Sequence, residues 1–438
     1  MAANPTLSDA RLLLEAATKI LDPTLERASV ITEGGKRIDD HQVLAERVAY
    51  AVTEGRAARA ALDFATALAQ EGRSSAILES TFAASVADLV ESLRVRLAPA
   101  VDDLGIGEEA LEGAFPAEVR ALLRRVGHES VYRAVGRQVI DSRARNDLPL
   151  DEMAEQIRES VREFADVEVA PQAEQIHRTD ALVPEELITK MGELGYFGMG
   201  IPEQYGGSEM GNLAMILTTE ELSRVSLAGA GSLITRPEIL TKALLGGGTE
   251  AQKQHWLPKI ASGEIMVGIA VTEPDIGSDV AAVKCRAEPR CVDGRDGWVI
   301  NGPKSWCTFA GRANVLALLA RTDPDAAKGA RGLSLFIVPK DAFTGHDFEM
   351  TQPGGGLMVG KADATPGYRG MHSFTLNLED YAVPSDHLVG GDANLGRGFY
   401  LQMAGFAAGR LQTGGRACGL AQGALEKTAE YVVDRKQF

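Results

Sequence analysis

Cysteine and histidine are scarce in this chain. The four cysteines, Cys285, Cys291, Cys307 and Cys418, form no CxxC pair, and the seven histidines are scattered without zinc-type spacing. A disulfide scaffold and a metal-finger motif are therefore not expected, and the thiols suit a reducing, cytoplasmic setting. Positive charge is short as well. Forty-five Lys+Arg against 61 Asp+Glu leave a net charge of −16. Phosphate backbones and anionic membrane surfaces repel such a chain, so neither nucleic acid nor membrane is expected as a partner. A local basic site for an anionic ligand stays open. No apolar run reaches membrane-spanning length, and no basic stretch followed by an apolar core opens the sequence, so a soluble, cytoplasmic protein is expected. Two nucleotide motifs are also incomplete. Gly355–Lys361 fits GxxxxGK, but Ala362 stands where a Mg²⁺-binding hydroxyl is needed. Gly229-Ala230-Gly231 lacks the third glycine and the preceding strand of a dinucleotide fingerprint. Any dinucleotide must be held in another way.

What is present reads in blocks, and 438 residues allow two to four domains. Residues 1–146 read as a helical extension. Asp39 with Gln42 makes a cap-like start, with Leu44, Val48, Ala51 and Val52 on one face behind it. Ala76–Leu97 repeats the pattern. The arginines between Arg120 and Arg145 interleave with acids and read as a solvated helix face. No catalytic constellation emerges there. Residues 147–265 form a second helical block: Asp151–Ala170 up to Pro171, Pro184–Leu194, Ala214–Val225, Ile239–Leu245, and a helix opened by Thr249. Arg236 falls in the connection before Ile239. It either pairs with a nearby acid or clamps a carboxylate. Residues 266–386 turn to strands, among them Val315–Arg321, Gly332–Pro339 and Phe374–Leu378, and residues 387–438 return to helix. The layout is α+β, with a β block between helical ones.

The densest stretch is Met266–Ala310. An apolar run ends at Val271 and is cut by Thr272-Glu273-Pro274, and Gly277-Ser278-Asp279 makes a turn. Gly297–Asn301 reads as a strand, Asn301-Gly302 as a hairpin turn, and a further strand carries Trp306 and Thr308. By spacing alone this is a hairpin with ordinary strand threonines and a core tryptophan. The strings VTEPDIGSDV and NGPKSWCT, in register, resemble the paired signature of the flavin-dependent acyl-CoA dehydrogenases. IPEQYGG fits the same family, and the resemblance covers about residues 150–438.

The resemblance implies a helical N-terminal domain, a β-barrel-like middle domain and a C-terminal helical domain, here incomplete. It implies FAD as cofactor, an acyl-CoA substrate, an electron-transfer flavoprotein as electron acceptor, and a homodimer or dimer of dimers. Ile269, Val271 and Thr272 would lie along the flavin, Thr308 near its reactive nitrogen, and Trp306 over the ring. Ser278 and Arg410 match positions that contact CoA, and Arg435 one that reaches FAD across a dimer. The reaction needs a carboxylate base at Cα, donors at the thioester oxygen and a held Cα–Cβ bond. No base can be assigned. The helix position that holds glutamate in part of the family is Gly409, and the other location lies beyond Phe438. Either a glutamate follows Phe438 or the protein binds acyl-CoA or flavin without turnover. The long extension, LITRPEIL and GYRGMHSF narrow the resemblance to a branch that turns (2S)-methylsuccinyl-CoA into mesaconyl-CoA in the ethylmalonyl-CoA route, which would give Arg236 a carboxylate to clamp. Oxidases on the same fold and dehydrogenases of other short branched acyl-CoAs are the alternatives. Arg369 reads as structural.

Overall fold

The structure, a computed structural model, describes residues 4–145, 148–292 and 294–437. The chain divides into two compact units. One is the chain up to Pro149 together with the last turns of the final helix from Glu426, and the other is Leu150–Leu425.

The first unit is helical. It holds α1 (Leu7–Ile31), α2 (Gln42–Gln70), α3 (Ala76–Leu97), the short α4 (Val101–Leu104) and α5 (Gly107–Ala114), then α6 (Ala117–Val126) and α7 (Glu129–Asp141). Thr6 and Asp9 close a capping box on α1, and the Ser75 hydroxyl accepts from the Leu78 N–H at the start of α3. One apolar stripe from each long helix meets in a common core, including Leu13 and Ile20, Ala58 and Leu62, and Val86, Val90 and Leu93. Gly55 lets α2 approach α1, since a Cβ there would stand 2.3 Å from Leu21 Cδ1. Three arginines of α6 and α7 have partners within this unit: Arg120 the Phe115 carbonyl, Arg125 Asp9 and Arg133 Glu129.

The second unit begins with α8 (Glu152–Phe164), whose helical path runs on through a π-type turn, Ala165–Val169, into α9 (Ala170–Thr179). Pro171 was expected to end this helix. It sits instead in the first turn of α9, where the widened turn before it spares the N–H that proline lacks. Then come α10 (Glu185–Glu193), α11 (Gly211–Val225), α12 (Thr235–Gly247) and α13 (Glu250–Ala261). Arg236 therefore lies in the first turn of a helix, not in a connection, with Pro237 as a tolerated early residue.

The β part comprises β1 (Val267–Ala270), β2 (Arg286–Val292), β3 (Arg295–Thr308), β4 (Val315–Arg321), β5 (Leu333–Pro339), β6 (Asp347–Thr351), β7 (Leu357–Ala362) and β8 (Ser373–Pro384). They form one mixed sheet in the order β1-β4-β2-β3-β8-β7-β6, with β5 beside β4. Leu316, Leu318 and Phe336 from one end of that order share a core with Phe348 and Met358 from the other, so the sheet is curled round its own interior. The GxxxxGK string runs into β7, an ordinary strand.

The hairpin expected at Asn301-Gly302 does not exist. β3 runs straight through that point, and the antiparallel partner of its first half is β2. Asn301-Gly302 is a bulge: pairing with β8 slips between Ile300 and Gly302, and Gly302 takes φ 133° with Cys285 Cα 3.0 Å from where a Cβ would be. A second slip lies between Lys304 and Cys307.

The long α14 (Gly398–Asp434) follows the sheet. Its small residues allow close approach to α11 and α12: added Cβ atoms at Gly405 and Gly419 would stand 2.6 Å from the Ile239 carbonyl and 2.1 Å from the Glu220 carbonyl. Among the described residues, no helix is long and apolar enough to cross a membrane.

Candidate active site

Two breaks in strand regularity build the site. β1 ends at Ala270, and Val271-Thr272 continue beyond it. The Thr272 carbonyl accepts from the Ser305 N–H at 2.8 Å. The β3 bulge turns Trp306 into the left-handed region at φ 57°, a conformation that costs a non-glycine residue about 1–3 kcal/mol unless its surroundings fix it. Trp306 is left 60% exposed, whereas Ser305 before the kink and Cys307 and Thr308 after it are buried. Tryptophan was expected in the core by spacing; the bulge places it on the surface.

These strand ends face α12 and α14 across a cavity of about 310 Å³. The strands contribute Ile269, Val271, Thr272, Ser305, Trp306 and Thr308. From α12 come Thr235, Arg236 and Ile239, and from α14 come Phe406, Gly409, Arg410, Thr413 and Arg416. Seven residues singled out in the sequence thus meet in one place: Ile269, Val271, Thr272, Trp306, Thr308, Arg236 and Arg410. Two do not. Ser278 is exposed in the loop after Thr272 and does not line the cavity, and Arg435 is exposed beyond the end of α14.

The wall is rich in hydrogen-bonding groups. Thr308 Oγ1 is 2.9 Å from Ser373 Oγ, and the buried Thr235 Oγ1 has no partner among the described residues. Behind the strand ends lies a buried ion pair. Lys304 Nζ donates to the Val271 carbonyl at 3.0 Å and to Glu273 Oε1 at 2.9 Å. Glu273 also accepts from the backbone N–H groups of Lys284 and Cys285. The Thr-Glu-Pro and Asn-Gly-Pro-Lys strings are therefore bolted to each other by their own charged members.

The other wall is cationic. Arg236 donates to the Ser232 carbonyl at 3.3 Å and, among the described residues, has no carboxylate within 4 Å. Arg416 donates to Ser232 Oγ at 2.8 Å, to Thr413 Oγ1 at 2.7 Å and to the Tyr368 hydroxyl at 3.3 Å. Its Nε is buried and unpartnered among the described residues. Burial holds Arg416 below its ordinary value, with Arg236 adding to the effect and Tyr368 opposing it. Burial alone would push the Tyr368 phenol up, but Arg236, a Ser232 hydrogen bond and Arg416 together bring it below its ordinary value. Neither Arg416 nor Tyr368 was singled out as a site residue in the sequence. Arg416 was legible: Arg410, Thr413 and Arg416 recur every three residues on one helix face. Tyr368 follows no local pattern, and it carries a left-handed φ of 62°.

Among the described residues, no carboxylate lines the cavity. Gly409 does, with Ile239 Cδ1 3.3 Å from where its Cβ would stand. The nearby Glu238 is buried, bonded to Gln412 and 3.9 Å from Lys242, and lies outside the cavity lining. Burial raises its carboxyl above the usual range.

Models of the acyl-CoA dehydrogenase N-terminal, middle and C-terminal domains match residues 151–264, 268–381 and 396–438 in turn. The chain belongs to the acyl-CoA dehydrogenase family. It is 36% identical to (2S)-methylsuccinyl-CoA dehydrogenase of Cereibacter sphaeroides over 457 aligned residues, spanning 100% of this chain and 80% of that relative. Among solved structures, a glutaryl-coenzyme A dehydrogenase in complex with glutaryl-CoA is similar at 32% identity and a TM-score of 0.56, over 67% of this chain and 69% of that one. A chain solved in work on the electron transferring flavoprotein of Acidaminococcus fermentans is similar at 30% identity and a TM-score of 0.58, over 67% and 71%. The α+β fold with a curled-sheet middle is that of the acyl-CoA dehydrogenases, and the protein is a flavin oxidoreductase of acyl-CoA type. The cavity suits a flavin: apolar Ile269, Val271 and Trp306 offer a flat contact, and Thr272, Ser305 and Thr308 offer hydroxyls at its edge.

Proposed function

We propose that this enzyme dehydrogenates the α,β bond of an acyl-CoA whose acyl group ends in a carboxylate, taking (2S)-methylsuccinyl-CoA to mesaconyl-CoA and passing electrons to an electron-transfer flavoprotein. FAD, held by Ile269, Val271, Thr272, Trp306 and Thr308, would supply the hydride acceptor. The observation that carries the substrate class is Arg236: a guanidinium in the cavity wall, opposite the strand ends, with no carboxylate within 4 Å among the described residues. A carboxylate on the acyl group gives it a charge-assisted partner. Arg416, two turns from Arg410 on α14, adds a second positive field at the same wall.

The assignment has further support. Alignment with the methylsuccinyl-CoA dehydrogenase runs through the first helical unit as well as the family domains. What the described lining residues contribute is orientation; the Cα proton would go to a carboxylate base, which is not among them. The acyl group is pinned at its carboxylate end by Arg236 and flanked by Ile239 and Phe406, which holds the reacting carbons at one depth in the cavity. Thr413 and Arg410 lie towards the exposed rim, where a CoA arm would pass.

The test is anaerobic addition of acyl-CoAs to the flavin-loaded protein. Methylsuccinyl-CoA should bleach the flavin, and butyryl-CoA should bleach it at least tenfold more slowly. Bleaching by butyryl-CoA at an equal rate sinks the carboxylate reading, and peroxide released at the turnover rate would make the enzyme an oxidase. Arg236→Ala should cost about 2–4 kcal/mol of binding and activation with the diacid thioester and leave a neutral acyl-CoA within a few fold. Equal losses on both would refute the clamp.

A further inference from the structure

Away from the cavity wall, three side chains from different parts of the second unit converge. Asp180 is the first residue after α9, His346 directly precedes β6, and His372 directly precedes β8. His346 Nε2 is 3.1 Å from His372 Nε2, and His372 Nε2 is 3.0 Å from Asp180 Oδ1. His346 Nε2 is also 3.1 Å from the Asp180 carbonyl oxygen and 3.7 Å from Asp180 Oδ2. Among the described residues, this is the one group of three or more such side chains gathered closely enough to share an ion.

We propose that Asp180, His346 and His372 bind a divalent transition-metal ion of the zinc class. Two imidazole nitrogens and a carboxylate are the donor set such an ion takes in preference to calcium or magnesium. The spacing fits. Bonds of about 2.0–2.1 Å in a tetrahedral site put neighbouring ligand atoms about 3.3 Å apart; His372 Nε2 is 3.1 Å from His346 Nε2 and 3.0 Å from Asp180 Oδ1, and His346 Nε2 is 3.7 Å from the other carboxylate oxygen. Hydrogen bonding accounts for the cluster less well. If both Nε2 atoms donate to Asp180, two N–H groups crowd each other at 3.1 Å; if one accepts instead, Asp180 loses a donor. An ion at the focus takes all the lone pairs at once. Both Asp180 and His372 carry left-handed backbone, at φ 56° and 50°, so the convergence is held against local strain.

The surroundings also set the expected strength. Arg369 Nε lies 3.5 Å from Asp180 Oδ1, a fixed cation that opposes a second one. Arg369 is itself held by the Thr365 and His177 carbonyls. His372 Nδ1 is buried without an acceptor among the described residues, so there the imidazole lacks the outer hydrogen bond that usually orients a metal ligand. Affinity is therefore expected in the micromolar range. Asp180 and His346 are half exposed, each with a side-chain exposure of 46%, which leaves the ion a way in. The ion's role would be to tie strand ends to α9. The His372 carbonyl accepts from the Phe309 N–H at 2.8 Å, and the next residue, Ser373, holds Thr308 in the cavity wall.

The experiment is calorimetric titration of untagged, chelator-dialysed protein with Zn²⁺, repeated on His346→Ala and Asp180→Asn. Both positions are accessible, and Asn tolerates the left-handed conformation that Asp180 adopts, so both variants should fold. One Zn²⁺ per chain is expected, roughly tenfold or more weaker in each variant, with a thermal midpoint raised by Zn²⁺ in the parent protein only. Arg369→Gln should bind more tightly than the parent. Binding that is absent in the parent, or unchanged in both His346→Ala and Asp180→Asn, would overturn the site.

Discussion

Lys304→Met tests what holds the two halves of the cavity's strand wall together. Lys304 is fully buried and Glu273 is 4% exposed. Methionine nearly matches lysine in length and fits an apolar interior, so the substitution removes charge without opening a large cavity. What it leaves is a carboxylate with two backbone N–H donors and no counter-charge. Removing one partner of a buried ion pair costs about 3–5 kcal/mol, and a unit of this size loses about 2 °C of thermal midpoint per kcal/mol. A fall of about 6–10 °C is the expected result by calorimetry. The double variant Lys304→Met/Glu273→Gln removes the stranded charge and should recover part of the loss, short of all of it because the new amide NH2 faces one of the two backbone N–H groups from which Glu273 accepts. A drop under 2 °C for the single variant would show that the pair is not a structural bolt. A double variant as unstable as the single would show that the stranded carboxylate is not the source of the cost. Activity should fall further than folding alone accounts for, because Lys304 Nζ also holds the Val271 carbonyl, next to Thr272.

Two other substitutions probe the sheet. Gly302→Ala must force a side chain into φ 133° with Cys285 Cα 3.0 Å away, so a loss of about 2–4 kcal/mol in denaturant unfolding is expected; a neutral result would mean that the bulge can slide. Burial lowers the Lys340 ammonium to about 7, with Asp341 opposing and Arg312 adding to the shift. The unfolded chain then binds more protons than the folded one between about pH 7 and the ordinary lysine value of 10.5. Stability should rise with pH across that window, by something on the order of a few kcal/mol relative to Lys340→Met; a flat difference between the two proteins would refute the assignment to Lys340.

Much of the helical framework was legible because its signals are local. Ala76–Leu97 carries its own cap and stripe, and Thr249 with Gln252 makes a capping box that needs no tertiary context. The β region was less legible where a local rule met a tertiary one. Asn-Gly is a strong turn signal, yet β8 pairs with both sides of it, and the glycine's freedom is spent on a bulge. The same bulging sends Trp306 outward, against the period-2 expectation for a strand residue. Arg236 was misplaced because Pro237 reads as a breaker, although proline is tolerated in a first helical turn. His346, His372 and Asp180 are far apart in the chain, and no spacing rule could unite them.

The cavity's electrostatics run against the chain as a whole. The protein carries −16 overall, yet among the described residues the lining holds three arginines and no carboxylate. Burial depresses Arg416 and Arg236 adds to the effect, so the wall keeps the Arg416 guanidinium charged at a cost. What offsets this in the protein itself is modest: hydroxyls from Ser232 and Thr413, and a Tyr368 phenol shifted towards ionisation by the same two arginines. Such an arrangement costs stability unless a ligand completes it. An acyl group ending in a carboxylate would relieve the repulsion and pair the guanidinium. An acyl group ending in methyl would bury the same charges without relief. Discrimination between the two would therefore come as much from the penalty against the neutral acyl chain as from attraction to the acid, and removing Arg236 should narrow the difference from both sides.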